Sequence, residues 1–251
     1  MEQSKNKHIE LEGHCNTETK RQPLAEPFGT TVPLSRIQKL IGQRMLQSKL
    51  SKPCFYIESK ADLTELMSLR PKLKKSLGVK ITTNAFYIRS LAMAVKKYPM
   101  MVGRLNGDKI RIAKHINVGF AVSAPQGLIV PVIKTADKKT LAEIAQQEKL
   151  LTEKARSNKL TLTEMEGETV ALSNLGVYGI DSFFGIVPPP TSTILAVGNV
   201  IPQLIPINGK PTVRKMITLT LAVDHRIING IYAAQFLSCI KEMLQKPAKL
   251  V

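Results

Sequence analysis

The stretch Leu219-Thr220-Leu221-Ala222-Val223-Asp224-His225-Arg226-Ile227-Ile228-Asn229-Gly230 runs from an apolar strand into a turn holding three ionisable side chains. Charged groups between apolar segments are costly to bury unless paired. Two readings of the turn are open. In one, Asp224 and Arg226 pair and His225 only hydrogen-bonds, giving a structural corner. In the other, His225 stands at a strand end before a glycine-containing loop and serves as a general base. The other histidines fit such a role less well: His8 and His14 lie in a polar N-terminal stretch, and His115 merely precedes a strand.

Working outward, Ala233 to Leu244 predicts a closing helix, and Met216 to Val223, Ser192 to Val197 and Thr169 to Leu172 predict strands. The last runs into Leu172-Ser173-Asn174-Leu175-Gly176, where a hydroxyl at a strand end can donate to a developing oxyanion. Ser-Asn-Leu-Gly is also ordinary turn chemistry. No Gly-x-Ser-x-Gly elbow surrounds Ser173, so it is not read as a nucleophile. Upstream, Leu141 to Asn158 is an amphipathic surface helix, and Ile116 to Val122 and Leu128 to Ile133 are two strands around the turn Ala124-Pro125-Gln126-Gly127. Gly107-Asp108 signals a hairpin. Asn84 to Tyr98 is apolar almost all round, as in a buried helix. Thr64 to about Leu77 is a helix stopped by Gly78, Phe55 to Ala61 a strand, and a first helix starts at the N-cap Ser35 and stops at Pro53. Pro188-Pro189-Pro190 fixes chain direction and carries no chemistry. Without strict βαβ alternation, the class is α/β or α+β with a mixed or largely antiparallel sheet. Residues 1–30 read as a flexible polar tail before one domain, 31–251.

The chain of 251 residues carries a net charge of +17. Residues 1–30 hold four Lys/Arg against five Glu, so residues 31–251 carry +18 and the basicity belongs to the folded part. Such a field attracts phosphates or acidic protein surfaces. Aromatics are only 5% and tryptophan is absent, which argues against stacking on single-stranded nucleic acid. Cys15, Cys54 and Cys239 are too far apart for a zinc site or a disulfide framework, so no metal is expected. There is no phosphate-binding glycine loop. No apolar run approaches the about 18 residues of a membrane span, and the first twenty residues lack an apolar leader core. No membrane association and a cytoplasmic setting are the expectations.

Taken together, the segments from about Val32 to Val251 resemble the catalytic domain of the dihydrolipoyl acyltransferases, the transacylase cores of 2-oxoacid dehydrogenase complexes. The resemblance rests on Val32-Pro33-Leu34-Ser35-Arg36-Ile37-Gln38-Lys39, Gly127-Leu128-Ile129-Val130-Pro131-Val132, Leu172 to Gly176, Ile194-Leu195-Ala196-Val197-Gly198 and, most specifically, Asp224 to Gly230. It implies a chloramphenicol acetyltransferase-like fold, a two-layer mixed sheet flanked by helices, assembled from trimers and as a larger cage. It implies transfer of a short acyl group between a dihydrolipoyl thiol and coenzyme A. His225 would be the base and Ser173 the oxyanion donor, the two meeting across a subunit boundary. Asn229 completes the catalytic set, and Asn174, Gly176 and Arg89 would bind coenzyme A. Ser-Asn-Leu-Gly leans towards acetyl or branched-chain relatives rather than succinyl ones.

Three departures accompany the resemblance. Asn229 replaces the usual final Asp, keeping hydrogen bonding but not charge. Cys54 stands where many relatives have His. Neither a lipoyl-lysine motif nor a peripheral subunit-binding domain is read in residues 1–30, which implies a lipoyl group delivered in trans by another protein, with 2-oxoacid dehydrogenase components as further partners. The rival expectation is a non-catalytic shell that has lost its lipoyl domain and activity.

Overall fold

The computed structural model describes residues 29–125 and 127–251. His8, His14, Cys15, Gln126 and nearly all of the expected tail lie outside the described residues. Residues 35–251 form one compact unit; residues 29–34 hold no helix or strand.

Helix α1 (Arg36–Ser51) opens with a full capping box, in which Ser35 accepts from Gln38 N while the Gln38 side chain accepts from Ser35 N. Pro53, two residues beyond it, precedes β1 (Cys54–Asp62). Then come α2 (Thr64–Leu77) and α3 (Thr83–Lys97), the latter capped by Thr82. The apolar girth of α3 has the expected cause: Phe86, Tyr87, Ile88 and Leu91 are all buried. A hairpin, β2 (Gly103–Asn106) and β3 (Lys109–Ile112), turns at Gly107-Asp108 as anticipated.

Residues 116–133 depart from the expectation of two strands. They form four short ones: β4 (Val118–Phe120), β5 (Val122–Ala124), β6 (Gly127–Ile129) and β7 (Val132–Ile133). β4 and β7 pair in the main sheet, whereas β5 and β6 make a separate hairpin. The break falls where Ala121 N donates to Leu172 O, across the sheet, and where Pro131 has no N–H to continue a ladder.

Helix α4 (Leu141–Arg156), with a Thr140–Glu143 capping box, and the short α5 (Leu162–Met165) lead to β8 (Val170–Asn174). β9 (Thr193–Val197), β10 (Ile201–Ile207), β11 (Lys210–Asp224) and α6 (Gly230–Gln245) complete the chain. β10 and residues 210–215 of β11 lie outside the strands expected from the sequence. They form a hairpin around Asn208 (φ 49°) and Gly209 (φ 77°), the left-handed pair that a tight primed turn requires. Among the described residues β10 pairs only with β11, so its prolines, Pro202 and Pro206, sit on an edge strand where a missing N–H is tolerated.

The main sheet runs β1-β11-β9-β8-β4-β7, with β10 on β11. β4, β8 and β9 are mutually parallel and the other pairings are antiparallel, so the sheet is mixed. Helices α3 and α6 pack together on one face, where Phe236, Leu237 and Ile240 of α6 join the large core. The opposite face carries a small cluster of Ala171, Val187, Ile194 and Ala222, with Cys54 and Tyr56 against it.

Candidate active site

Asp224 ends β11 and is 1% exposed. Its carboxylate accepts from Arg226 Nε at 2.9 Å, from Arg226 Nη2 at 2.6 Å and from Arg226 N at 3.2 Å. These bonds push the Arg226 guanidinium further towards its charged form. The corner reading of the turn therefore describes Asp224 and Arg226. It leaves His225 free for chemistry: its ring is exposed and stands edge-on to Phe55 at 5.2 Å. The backbone on either side is tied down, since His225 N donates to Pro53 O at 3.0 Å and Asp224 N to Ser192 O at 2.9 Å.

Asn229 is the N-cap of α6, and its Oδ1 accepts from Tyr232 N at 2.9 Å. An aspartate would cap as well, so the amide at this position loses nothing in holding the turn to the helix. Cys54 is the register partner of Asp224 on β1. Burial raises its thiol pKa, with Tyr56 opposing, so it is a packed, protonated thiol and not an activated one.

Ser173 is half-buried on β8 near its C-terminal end. The next turn is built by Asn174, whose Oδ1 accepts from Gly176 N at 3.0 Å. A Cβ on Gly176 would lie 2.2 Å from Gly198 O, and one on Gly198 only 1.9 Å from Asp181 O. Three backbone layers are thus in direct contact, and both signature segments end in glycine for that reason. Arg89 lies on α3 and donates from Nη1 to Asp137 O at 3.1 Å; its Nε is buried without a partner. Burial lowers its pKa, against the opposing charges of Asp137 and Glu143.

The sheet register separates the two chief residues. Ser173 is level with Ala196 on β9, and Ala196 with Thr220 on β11. His225 follows Thr220 by five residues. That is about 17 Å along the strand and about 10 Å across two strands, roughly 20 Å in all. The structure brings Asn174 and Gly176 to Ser173, and Asn229 to His225, at opposite ends of one sheet. Among the described residues no cluster of His, Cys, Asp and Glu could hold a metal ion. No described helix is long and apolar enough to cross a membrane. Sequence reading missed Phe55 and Ser192 as supports of the His225 turn; only their places in strand candidates were visible.

The family model for the 2-oxoacid dehydrogenases acyltransferase catalytic domain matches residues 27–251. The chain belongs to this acyltransferase family. It is 34% identical over 223 residues to the dihydrolipoyllysine-residue acetyltransferase component of the pyruvate dehydrogenase complex of Rickettsia bellii, covering 87% of this chain and 53% of that protein. It is 35% identical over 224 residues to the succinyltransferase component of the 2-oxoglutarate dehydrogenase complex of Haemophilus influenzae, covering 88% and 55%. The chain spans about half the length of the curated relatives it matches. Among solved structures of the acyltransferase family, the Azotobacter vinelandii dihydrolipoamide acetyltransferase superposes with a TM-score of 0.84 at 32% identity, covering 89% of this chain and 94% of that one. That structure addresses the catalytic role of a serine, a histidine 52 residues later and an asparagine four residues beyond. The cubic core of a pyruvate dehydrogenase multienzyme complex gives 0.84 at 34% identity, covering 89% and 94%. Chloramphenicol acetyltransferase, at 14% identity and a TM-score of 0.51 over 80% of this chain and 94% of that one, shares the fold.

Proposed function

We propose that the protein moves a short acyl group, acetyl or branched-chain, between a dihydrolipoyl thiol brought by another protein and coenzyme A, in a site shared by two copies of the chain. The register carries this reading: His225 and Ser173 have the 52-residue separation of the acetyltransferase's serine and histidine, yet lie roughly 20 Å apart within one chain. A neighbouring copy must then complete each site. Asn229 stands four residues after His225, as the asparagine does there, which favours a working enzyme over a silent shell. In the turn that follows Ser173, Val177 and Tyr178 are 78% and 64% exposed, apolar side chains suited to a neighbouring copy.

In the reaction, neutral His225 takes the proton of the attacking thiol, and the thiolate adds to the thioester carbonyl. The Ser173 hydroxyl of the neighbouring copy donates to the tetrahedral oxyanion. Collapse expels the other sulfur, which recovers the proton from the imidazolium. Arg226, held on Asp224, keeps the turn in place without entering the proton transfer. The Asn174 side-chain amide and the unpartnered Nε of Arg89 supply donors for coenzyme A, Gly176 holds the Asn174 side chain in place, and the phosphates suit the +18 of residues 31–251. The assembly proposed is a trimer built into a larger cage, working in the cytoplasm with 2-oxoacid dehydrogenase components.

The test is transacylation between acetyl-, isobutyryl- or succinyl-coenzyme A and dihydrolipoamide. Turnover with the first or second, reduced about 100-fold or more in His225→Ala, supports the reading. Intact large particles that turn over none of them would make the protein a shell.

A further inference from the structure

The His225 turn hangs from two backbone carbonyls on different segments, Pro53 O and Ser192 O. Neither segment is held by the sheet alone. Ser192 follows the proline-rich run 188–190, and Pro53 follows the end of α1. Three side chains of α1 and its C-cap, spaced four residues apart, reach that run. Arg44 donates to Pro189 O at 2.8 Å, Ser48 to Val187 O, and Lys52 Nζ to Thr191 O at 2.7 Å. Four-residue spacing puts all three on one side of the helix. Lys52 differs from the other two in its position. Its own backbone adjoins Pro53, and its ammonium grips the carbonyl adjoining Ser192. It therefore spans both tethers of the turn.

We infer that Lys52 is a positioning residue for His225, a cross-brace that fixes the two carbonyls from which the catalytic turn is suspended. The charged surroundings agree with this. Burial lowers the pKa of the Lys52 ammonium, and the nearby Asp224 opposes that most, with Arg226 and Arg104 adding repulsion. Holding a half-buried cation there is costly unless its hydrogen bond is needed. Arg226 already neutralises Asp224 at 2.6 Å, so the distinctive partner of Lys52 is the Thr191 carbonyl. The gripped segment is anchored further by Ser192 Oγ on Gly103 O at 2.6 Å and Thr193 Oγ1 on Met101 O at 2.8 Å. A displacement at Thr191 thus passes to Asp224 N and to the ring beside it.

The catalytic half of this inference rests on the acyl-transfer reading; the structural half does not. The experiment compares Lys52→Met and Lys52→Arg with the wild-type particle by hydrogen–deuterium exchange of the peptide covering 219–230 and by steady-state kinetics. Lys52→Met is expected to speed exchange at Asp224 and His225 about 10-fold or more, with α3 and α4 unchanged. It should lower kcat about 10- to 100-fold, with KM for either thiol within about three-fold. Lys52→Arg, which keeps a donor and the charge, should restore both readouts. If Lys52→Met does not assemble, Lys52→Gln takes its place under the same criteria. Unaltered exchange at 224–225 in the folded variant overturns the inference, as does a loss confined to KM. Faster exchange in the variant, alongside a wild type that transfers no acyl group, upholds the brace and removes the acyltransferase reading.

Discussion

Ser173 is level with Thr220 through Ala196, and so falls five residues short of His225 along β11. In a sheet this rigid the offset cannot be closed by side-chain rotation, which moves a hydroxyl or an imidazole by only a few ångströms. Two copies with different defects should therefore complement each other. Particles of Ser173→Ala alone and of His225→Ala alone should each lose about 100-fold or more. Dissociated, mixed in equal amounts and reassembled, they should recover roughly a quarter of wild-type turnover, because one interface in four of a mixed cyclic ring pairs an intact His225 with an intact Ser173. Recovery no greater than the sum of the two parents would place both groups in one chain's site and contradict the register.

Asn229 offers a separate test, because its side chain caps α6 through Tyr232 N. Asn229→Asp keeps the acceptor and adds a negative charge at a helix N-terminus, where it is favourable. The variant should match or slightly exceed wild-type thermal stability, with turnover within a few-fold. Asn229→Ala should lose about 1 kcal/mol by denaturant unfolding and displace the turn behind His225. A rise of about 100-fold in kcat for Asn229→Asp would mean that the natural amide cripples the site.

Gly176 and Gly198 were legible in the sequence only as punctuation, and their role explains where sequence reading stops. Caps and periodicity are local, so the cap Ser35 and the apolar girth of Phe86 to Val95 gave α1 and α3 to within a residue or two. The hairpin at Asn208-Gly209 is equally local, but Pro202, Pro206 and Pro211 mask its strands; Pro202 and Pro206 are tolerated because β10 is an edge. The division of residues 116–133 between two sheets depends on Leu172, about fifty residues away. The turn at His225 could be read as chemistry from its residue types. Its distance from Ser173 could not, because it is set by the pairing of three strands. Lys52 carried no signal, for its meaning lies in the carbonyl of Thr191, 139 residues on.

The contact of Gly176 with the Gly198 carbonyl makes a sharp substitution test. Gly176→Ala places a methyl 2.2 Å from that oxygen, with backbone on both sides that cannot yield cheaply. Overpacking of this kind costs about 1–3 kcal/mol, and the turn that follows Ser173 has to shift. A folded variant with transacylation reduced about 10-fold or more is expected. Wild-type turnover in Gly176→Ala would show that the turn is not fixed by this contact.

Glu148 gives a prediction in pH. It lies on α4, 8% exposed, where it accepts from Thr82 Oγ1 at 2.5 Å and from Asn84 Nδ2 at 3.3 Å. Burial raises its pKa above the ordinary 4.5, and the bonds from Thr82 and Asn84 only partly oppose that. A carboxyl whose folded pKa is raised binds its proton more tightly in the native state. It therefore favours folding at low pH, and that contribution is lost as pH rises from the ordinary value through the raised one. Asn84 Oδ1, close by, is buried without a partner. Glu148→Gln removes the ionisation, keeps an acceptor for Thr82, and can donate from its amide to Asn84 Oδ1 once the Asn84 amide turns over. Below pH 4.5 the variant and the wild type should melt together. Towards pH 8 the variant should melt higher, by about 2–4 °C for each kcal/mol relieved in a domain of this size. Differential scanning calorimetry across that range decides it: a variant that melts lower at pH 8 would mean that the ionised carboxylate stabilises the start of α3.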